Sequence, residues 1–203
     1  MIRPWIVVLA LAAPAVANGA DEAKPAWEVS AALTGYDAAD SPDYWNPMIT
    51  ADYGRLHLET QYQYEALETF SVWAGMNFSA GKSWTLETTL LAGGIFGELE
   101  GVAARVDLSL THRWFEATTS CEYVFDTADE DEDFFYSWTE IGGYPTDWFR
   151  VGLAVQRTRV RETDVDIQRG PFVGFTIHAW DIAAYLFDPH HDPAFVLTVT
   201  YQF

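Results

Sequence analysis

The sequence predicts an all-β fold: a transmembrane up-and-down antiparallel β-barrel of about twelve strands, with ten as the alternative even number. Three observations predict it. Apolar and polar residues alternate with a period of two along most of the chain. Tight turns and longer, mostly acidic connections follow one another in regular succession. Tryptophans recur at the starts of alternate strands.

Ahead of the barrel, Arg3 supplies a positive charge, Trp5 to Ala13 an apolar stretch and Ala15-Val16-Ala17 a small-x-small cleavage site. That order describes a secretory signal peptide over residues 1–17. The apolar stretch is interrupted at Pro14 and is too short for a helix of roughly 20 residues to cross a bilayer. A short segment, 18–26, leads into the barrel at 27–203.

The strands then follow in order. Weaker alternation covers residues near 27–36 and 47–53, and the clearest case is Arg55 to Tyr64. There Leu56, Leu58, Thr60, Tyr62 and Tyr64 share one face, while Arg55, His57, Glu59, Gln61 and Gln63 share the other. The period continues through Phe70–Phe78, Trp84–Ala92, Val102–Leu110 and Phe115–Phe125. Weaker stretches near 134–143 and 169–178 flank the one at Phe149–Val155. Trp180–Leu186 and Phe195–Phe203 complete the set. Tyr53-Gly54, Ser79–Ser83, Thr111–Arg113, Tyr144–Asp147 and the residues around Ala179 read as tight turns at one end. Asp37–Asn46, Glu65–Glu68, Gly97–Gly101, Asp126–Asp133, Arg161–Asp166 and Asp188–Pro193 read as loops at the other. The segments 47–64 and 167–187 can each be one long strand or a hairpin, which leaves ten strands open.

Which face meets which solvent is read from two residue classes. Trp27, Trp84, Trp114, Trp148 and Trp180 all fall at the tight-turn end, and with Tyr53, Phe78, Tyr144 and Phe203 they form an interfacial aromatic ring. A second ring is drawn near the loops from Tyr36, Tyr62, Phe96, Phe125, Phe135, Phe187 and Phe195. The opposite face carries Glu28, Asp52, His57, Glu59, Gln61, Glu87, Arg105, Asp107, Glu116, Glu122, Glu140, Arg150, His178 and Asp181. So many ionisable groups do not fit a dry apolar core, so this face is assigned to a polar lumen and the other to lipid. Cys121 falls on the lipid face, and Arg157, Arg159 and Arg161 are placed to reach lipid phosphates or acidic loops.

Composition narrows the function. With 49% hydrophobic residues the chain is not disordered despite a net charge of −19. Thirty acidic residues against eleven basic ones, with no basic stripe, exclude a nucleic-acid binder. A single cysteine excludes a disulfide framework and a Cys-rich zinc site.

The last strand, Ala194-Phe-Val-Leu-Thr-Val-Thr-Tyr-Gln-Phe203, alternates and ends on an aromatic. With the signal peptide it resembles Gram-negative outer-membrane β-barrel proteins as a class. The resemblance implies an outer-membrane location, termini in the periplasm, contact with membrane lipid and lipopolysaccharide, and recognition of the terminal strand by the barrel-insertion machinery.

For activity, a narrow porin-like channel with a net acidic, cation-favouring lumen stands beside a closed structural barrel held by ion pairs. A membrane-embedded lipid hydrolase is a further alternative, but no histidine stands in a nucleophile pattern and no catalytic residue is assigned. A surface-binding role rests on Asp129–Asp133 and Asp188-Pro-His-His-Asp192. These oxygen-rich loops could share divalent cations with lipopolysaccharide, but the first lacks the alternating spacing of a calcium loop, and no metal ligand or cofactor is assigned.

Overall fold

The computed structural model describes residues 25–38, 41–128, 133–160, 166–190 and 192–203. Residues 1–24 with the expected signal peptide, 39–40, Asp129–Glu132, Arg161–Val165 and His191 lie outside them. The backbone forms β1 (Trp27–Ala38), β2 (Ser41–Tyr53), β3 (Leu56–Tyr62), β4 (Thr69–Gly81), β5 (Thr85–Gly97) and β6 (Gly101–His112). It continues through β7 (Phe115–Asp126), β8 (Phe134–Thr146), β9 (Phe149–Val160), β10 (Asp166–Ile177), β11 (Trp180–Phe187) and β12 (Ala194–Gln202). Each strand pairs antiparallel with its chain neighbours, and β1 closes on β12 with Ser30 facing Gln202 and Ala38 facing Ala194. A closed ladder has no edge, so its backbone donors and acceptors are paired without help from water.

Both ambiguous segments are hairpins, and the strand number is twelve. Residues 47–64 fold back at Gly54-Arg55, with Tyr53 facing Leu56. Residues 167–187 fold back at His178-Ala179, with Ile177 facing Trp180. One expected loop is mostly strand. Of Asp37–Asn46, Asp37 and Ala38 end β1, and β2 begins at Ser41 and pairs Tyr44 with Tyr36 and Asn46 with Thr34.

The outer face is apolar and open along the full height of the strands. Ile49, Val72, Leu90, Val102, Ile141, Leu153 and Ile177 are all about half exposed. A continuous apolar band of this kind is not tolerated against water, and it matches the lipid-facing belt of a membrane barrel. Among the described residues no helix is long and apolar enough to cross a membrane. Trp27, Trp84, Trp114, Trp148, Trp180 and Phe203 are strongly exposed at the tight-turn end. Cross-strand ring contacts link this rim: Trp27 to Tyr53 at 5.2 Å, Trp84 to His112 at 4.5 Å and Trp180 to Tyr201 at 4.7 Å.

Four aromatics assigned to the outside are inside. The outward set of β1 is Trp27, Val29, Ala31 and Leu33, so the strict period of two sends Tyr36 inward, where it is buried. The same parity sends Phe187 inward behind Leu186. Tyr64 follows the end of β3 and turns into the barrel mouth, 2% exposed. Tyr144 lies at the β8 irregularity and its hydroxyl donates to Glu116 in the interior.

Candidate functional site

The inward face carries the polar residues expected there, and it also carries a plug. Glu28, Asp52, Glu59, Glu87, Asp107, Glu116, Glu122, Glu140 and Asp181 stand at inward register positions with His57, Gln61, Arg105 and Arg150. His178 does not join them. It occupies the β10–β11 turn at φ 57° and is exposed, because the chain reverses before the period of two can carry it inward.

Two charge networks cross the interior. In the first, Arg105 on β6 reaches over β5 and β4 to Glu59 on β3, with Nη2 to Oε2 at 2.6 Å. Its Nε contacts Asp107 at 3.2 Å. His57 extends the chain, 2.8 Å from Asp52 and 3.6 Å from Glu59. Ser120 donates to Asp107, and Asn77 donates to Asp52 at 2.6 Å. The path is open because Gly93 has no side chain: a Cβ there would fall 2.5 Å from the Trp73 ring. Trp73 therefore lies flat against the β5 wall, and the Arg105 guanidinium sits 4.8 Å over it.

The second network is built on Arg150, near the Trp-rich end of β9. Arg150 donates to Asp181 on β11 at 2.8 Å, and Thr176 donates to the other Asp181 oxygen at 2.8 Å. Gly174 makes room, since a Cβ there would meet Arg150 Nε at 2.3 Å. Glu140 on β8 accepts from Trp138 Nε1 at 2.7 Å and from the Tyr185 hydroxyl, across the lumen on β11, at 2.8 Å.

Toward the loops the interior is tightly packed, with large apolar side chains set beside buried polar ones such as Gln61, Glu122 and Gln156. Trp73, Ile95, Val124, Tyr136, Trp138, Tyr185, Phe187 and Val196 are each at most 1% exposed. Every one lies in the half of its strand nearest the loops. Trp138 packs edge-on against Tyr185 at 5.0 Å and Phe187 at 5.1 Å. Gln156 on β9 accepts from Tyr136 on β8 and, across the barrel, from Tyr36 on β1 at 3.3 Å. Side chains this deeply buried fill much of the outer half of the lumen.

Two connections add to this packing. Residues 63–68 between β3 and β4 fold inward between positive-φ residues Gln63 and Glu68, burying Tyr64 and Glu65. Gln61 donates to Glu65 at 3.3 Å. Leu99, from the β5–β6 connection, is buried beside them, and its backbone N–H donates to Thr69 at 3.3 Å. Sequence reasoning missed this plug. Its signal was present in the parity: Trp73, Tyr136, Trp138 and Tyr185 occupy the same phase as the lumen acids.

Among the described residues no three His, Cys, Asp or Glu side chains converge as a metal-binding group. Of the acidic loops, Asp133 accepts from the Asp126 backbone at 2.9 Å and Asp188 from the Arg169 backbone at 3.3 Å. Arg157 lies on β9 with its guanidinium 6.0 Å over the Phe135 ring.

No protein-family profile and no curated protein sequence matches the chain. Solved structures do match in fold. The KdgM porin superposes with a TM-score of 0.65 at 9% identity, covering 86% of this chain and 99% of the porin. The KdgM porin in complex with disordered oligogalacturonate gives 0.63 at 9% identity, covering 87% of this chain and 99% of that one. A structure from work on the in-meso crystallisation of membrane proteins gives 0.57 at 11% identity, covering 87% of this chain and 84% of that one. At these identities the likeness is one of fold.

Proposed function

We propose that the chain is an outer-membrane barrel of porin-like kind whose lumen favours cations and is held closed by the packed side chains of its outer half. The observation that carries this reading is the charge of the inward face. Among the described residues at least nine carboxylates there stand against two guanidinium groups and one imidazole: Glu28, Asp52, Glu59, Glu87, Asp107, Glu116, Glu122, Glu140 and Asp181 against Arg105, Arg150 and His57. An acidic lining attracts cations and repels anions. The likeness to porins over nearly their whole length supports the outer-membrane setting, as do the apolar belt and the aromatic rim. The oligogalacturonate named with one similar porin is a polyanion, so the lining here has the wrong sign for it. In this reading the girdle contacts lipid and lipopolysaccharide, and the exposed terminal Phe203 is offered to the insertion machinery.

A second reading, a purely structural barrel, is favoured by the packed outer half. Planar-bilayer recording in a KCl gradient separates the two. The channel reading expects brief, small openings with a reversal potential displaced toward that of K⁺. Displacement toward Cl⁻ contradicts it, and currents no larger than those of bare lipid assign the structural role.

A further inference from the structure

Five buried side-chain oxygens near the mouth of the lumen bond nothing: Gln61 Oε1, the Tyr64 hydroxyl, Glu65 Oε2 and both carboxylate oxygens of Glu122. Gln61, Tyr64, Glu65 and Glu122 are all at least 97% buried. They belong to one neighbourhood. Gln61 bonds Glu65, the Tyr64 ring meets the Tyr136 ring at 6.4 Å, and Tyr136 stands directly across the β7–β8 ladder from Glu122. Arg105 faces Glu122 across the β6–β7 ladder, yet its Nη2 and Nε are directed to Glu59 and Asp107, and its Nη1 bonds nothing. Neither buried carboxylate thus has an ion-pair partner of its own, and Arg105 offsets their charge only from a distance.

We propose that a hard divalent cation of the Ca²⁺ class binds inside the barrel mouth, held by the free oxygens of Gln61, Tyr64, Glu65 and Glu122. The donor set is all oxygen, with two negative charges and two neutral ligands, which suits a hard cation that keeps some of its water. Bound there, it lashes the inward-folded 63–68 segment to the β7 wall and neutralises both carboxylates. The site deepens the cation reading of the lumen but does not require that the lumen conduct. Protons compete for it: without a cation, burial pushes the Glu65 carboxyl up to about 7, against the partly offsetting Ser71, Gln61 and Arg105, with Glu122 also facing it. Affinity for the cation therefore falls as pH drops below 7.

The test uses the full chain in detergent with Tb³⁺ as probe, read through emission sensitised by Tyr64 and Tyr136. Saturable emission at pH 7.5, chased by Ca²⁺, is expected, and E122Q and E65Q should each weaken binding about tenfold or more by removing one ligand charge. Both substitutions are close in shape, and heat-modifiable migration on a gel reports that each barrel is folded. Neutralising the external acidic run (D129N, E130Q, D131N, E132Q) should leave the signal in place. The proposal is overturned by absence of saturable emission, which would mean the carboxylates carry protons, by wild-type binding in E122Q and E65Q, or by loss of the signal with the external run. Binding without any conduction removes the channel and leaves the site; conduction without binding removes the site alone.

Discussion

Replacing Trp73, Tyr136 and Trp138 together with alanine is expected to convert a barrel that rarely passes ions into one with a steady open current. These three rings are among the largest fully buried side chains in the lumen, Trp73 projecting from β4 and Tyr136 and Trp138 from β8. Trp73 covers the β5 wall at Gly93, Tyr136 meets Tyr64 of the inward segment, and Trp138 meets Tyr185 and Phe187 of β11. In a soluble core each truncation would cost about 3–5 kcal/mol. Here the emptied volume opens onto polar residues and bulk water, and the twelve-strand ladder does not depend on it. The barrel should survive with lower stability. Twelve strands enclose less space than the 16–18 of wide porins, so the current should remain well below theirs while exceeding the wild-type level by roughly tenfold or more. Single-channel recording on the folded variant checks this, and an unchanged current would show that the lumen is not closed by these rings.

The second large effect is expected at Arg105. Its guanidinium is the one cation in direct contact with both Glu59 and Asp107, whose side chains are 4% and 16% exposed. Arg105→Met keeps the length and loses the charge, leaving two carboxylates facing each other across a dry section. Breaking a buried ion pair from one side costs about 3–5 kcal/mol, because the abandoned charge cannot recover its hydration. The loss of the contact with Trp73 adds to it. Urea unfolding of the detergent-solubilised barrel should show a clearly lowered midpoint. Adding Glu59→Gln and Asp107→Asn to Arg105→Met should recover most of the loss, since a neutral triad needs no counter-ion. A midpoint equal to wild type in the single variant would mean that water reaches this network.

The two-residue period was strong enough to give the architecture, because a one-residue slip would turn Leu86, Leu90 and Leu110 toward Glu87, Asp107 and Arg105 and reverse the barrel. The turn at Gly54 and the aromatic rim from Trp27 to Trp180 were legible for the same local reason. What sequence did not disclose was contact across the barrel. Arg105 and Glu59 are separated by 46 residues and three strand positions, and only closure brings them within 2.6 Å. The plug was hidden differently. An aromatic ring reads as an outward girdle residue until its parity is counted, which is why Tyr36 and Phe187 lie inside against expectation. Glu65 looked like an ordinary acidic loop residue, and nothing local says that the segment carrying it folds inward.

The reading of the whole molecule depends on hydrocarbon bathing the outer face, and brominated-lipid quenching of tryptophan fluorescence tests that directly. Trp180 projects outward beside Tyr201 and is 48% exposed, while Trp138 is wholly buried in the lumen. Two variants are compared in vesicles, one keeping only Trp180 and one keeping only Trp138, with the other tryptophans changed to phenylalanine. The expected result is strong quenching of Trp180 and none of Trp138. Emission from Trp180 that is untouched by the brominated chains, yet quenched by aqueous iodide, would contradict a lipid-facing exterior.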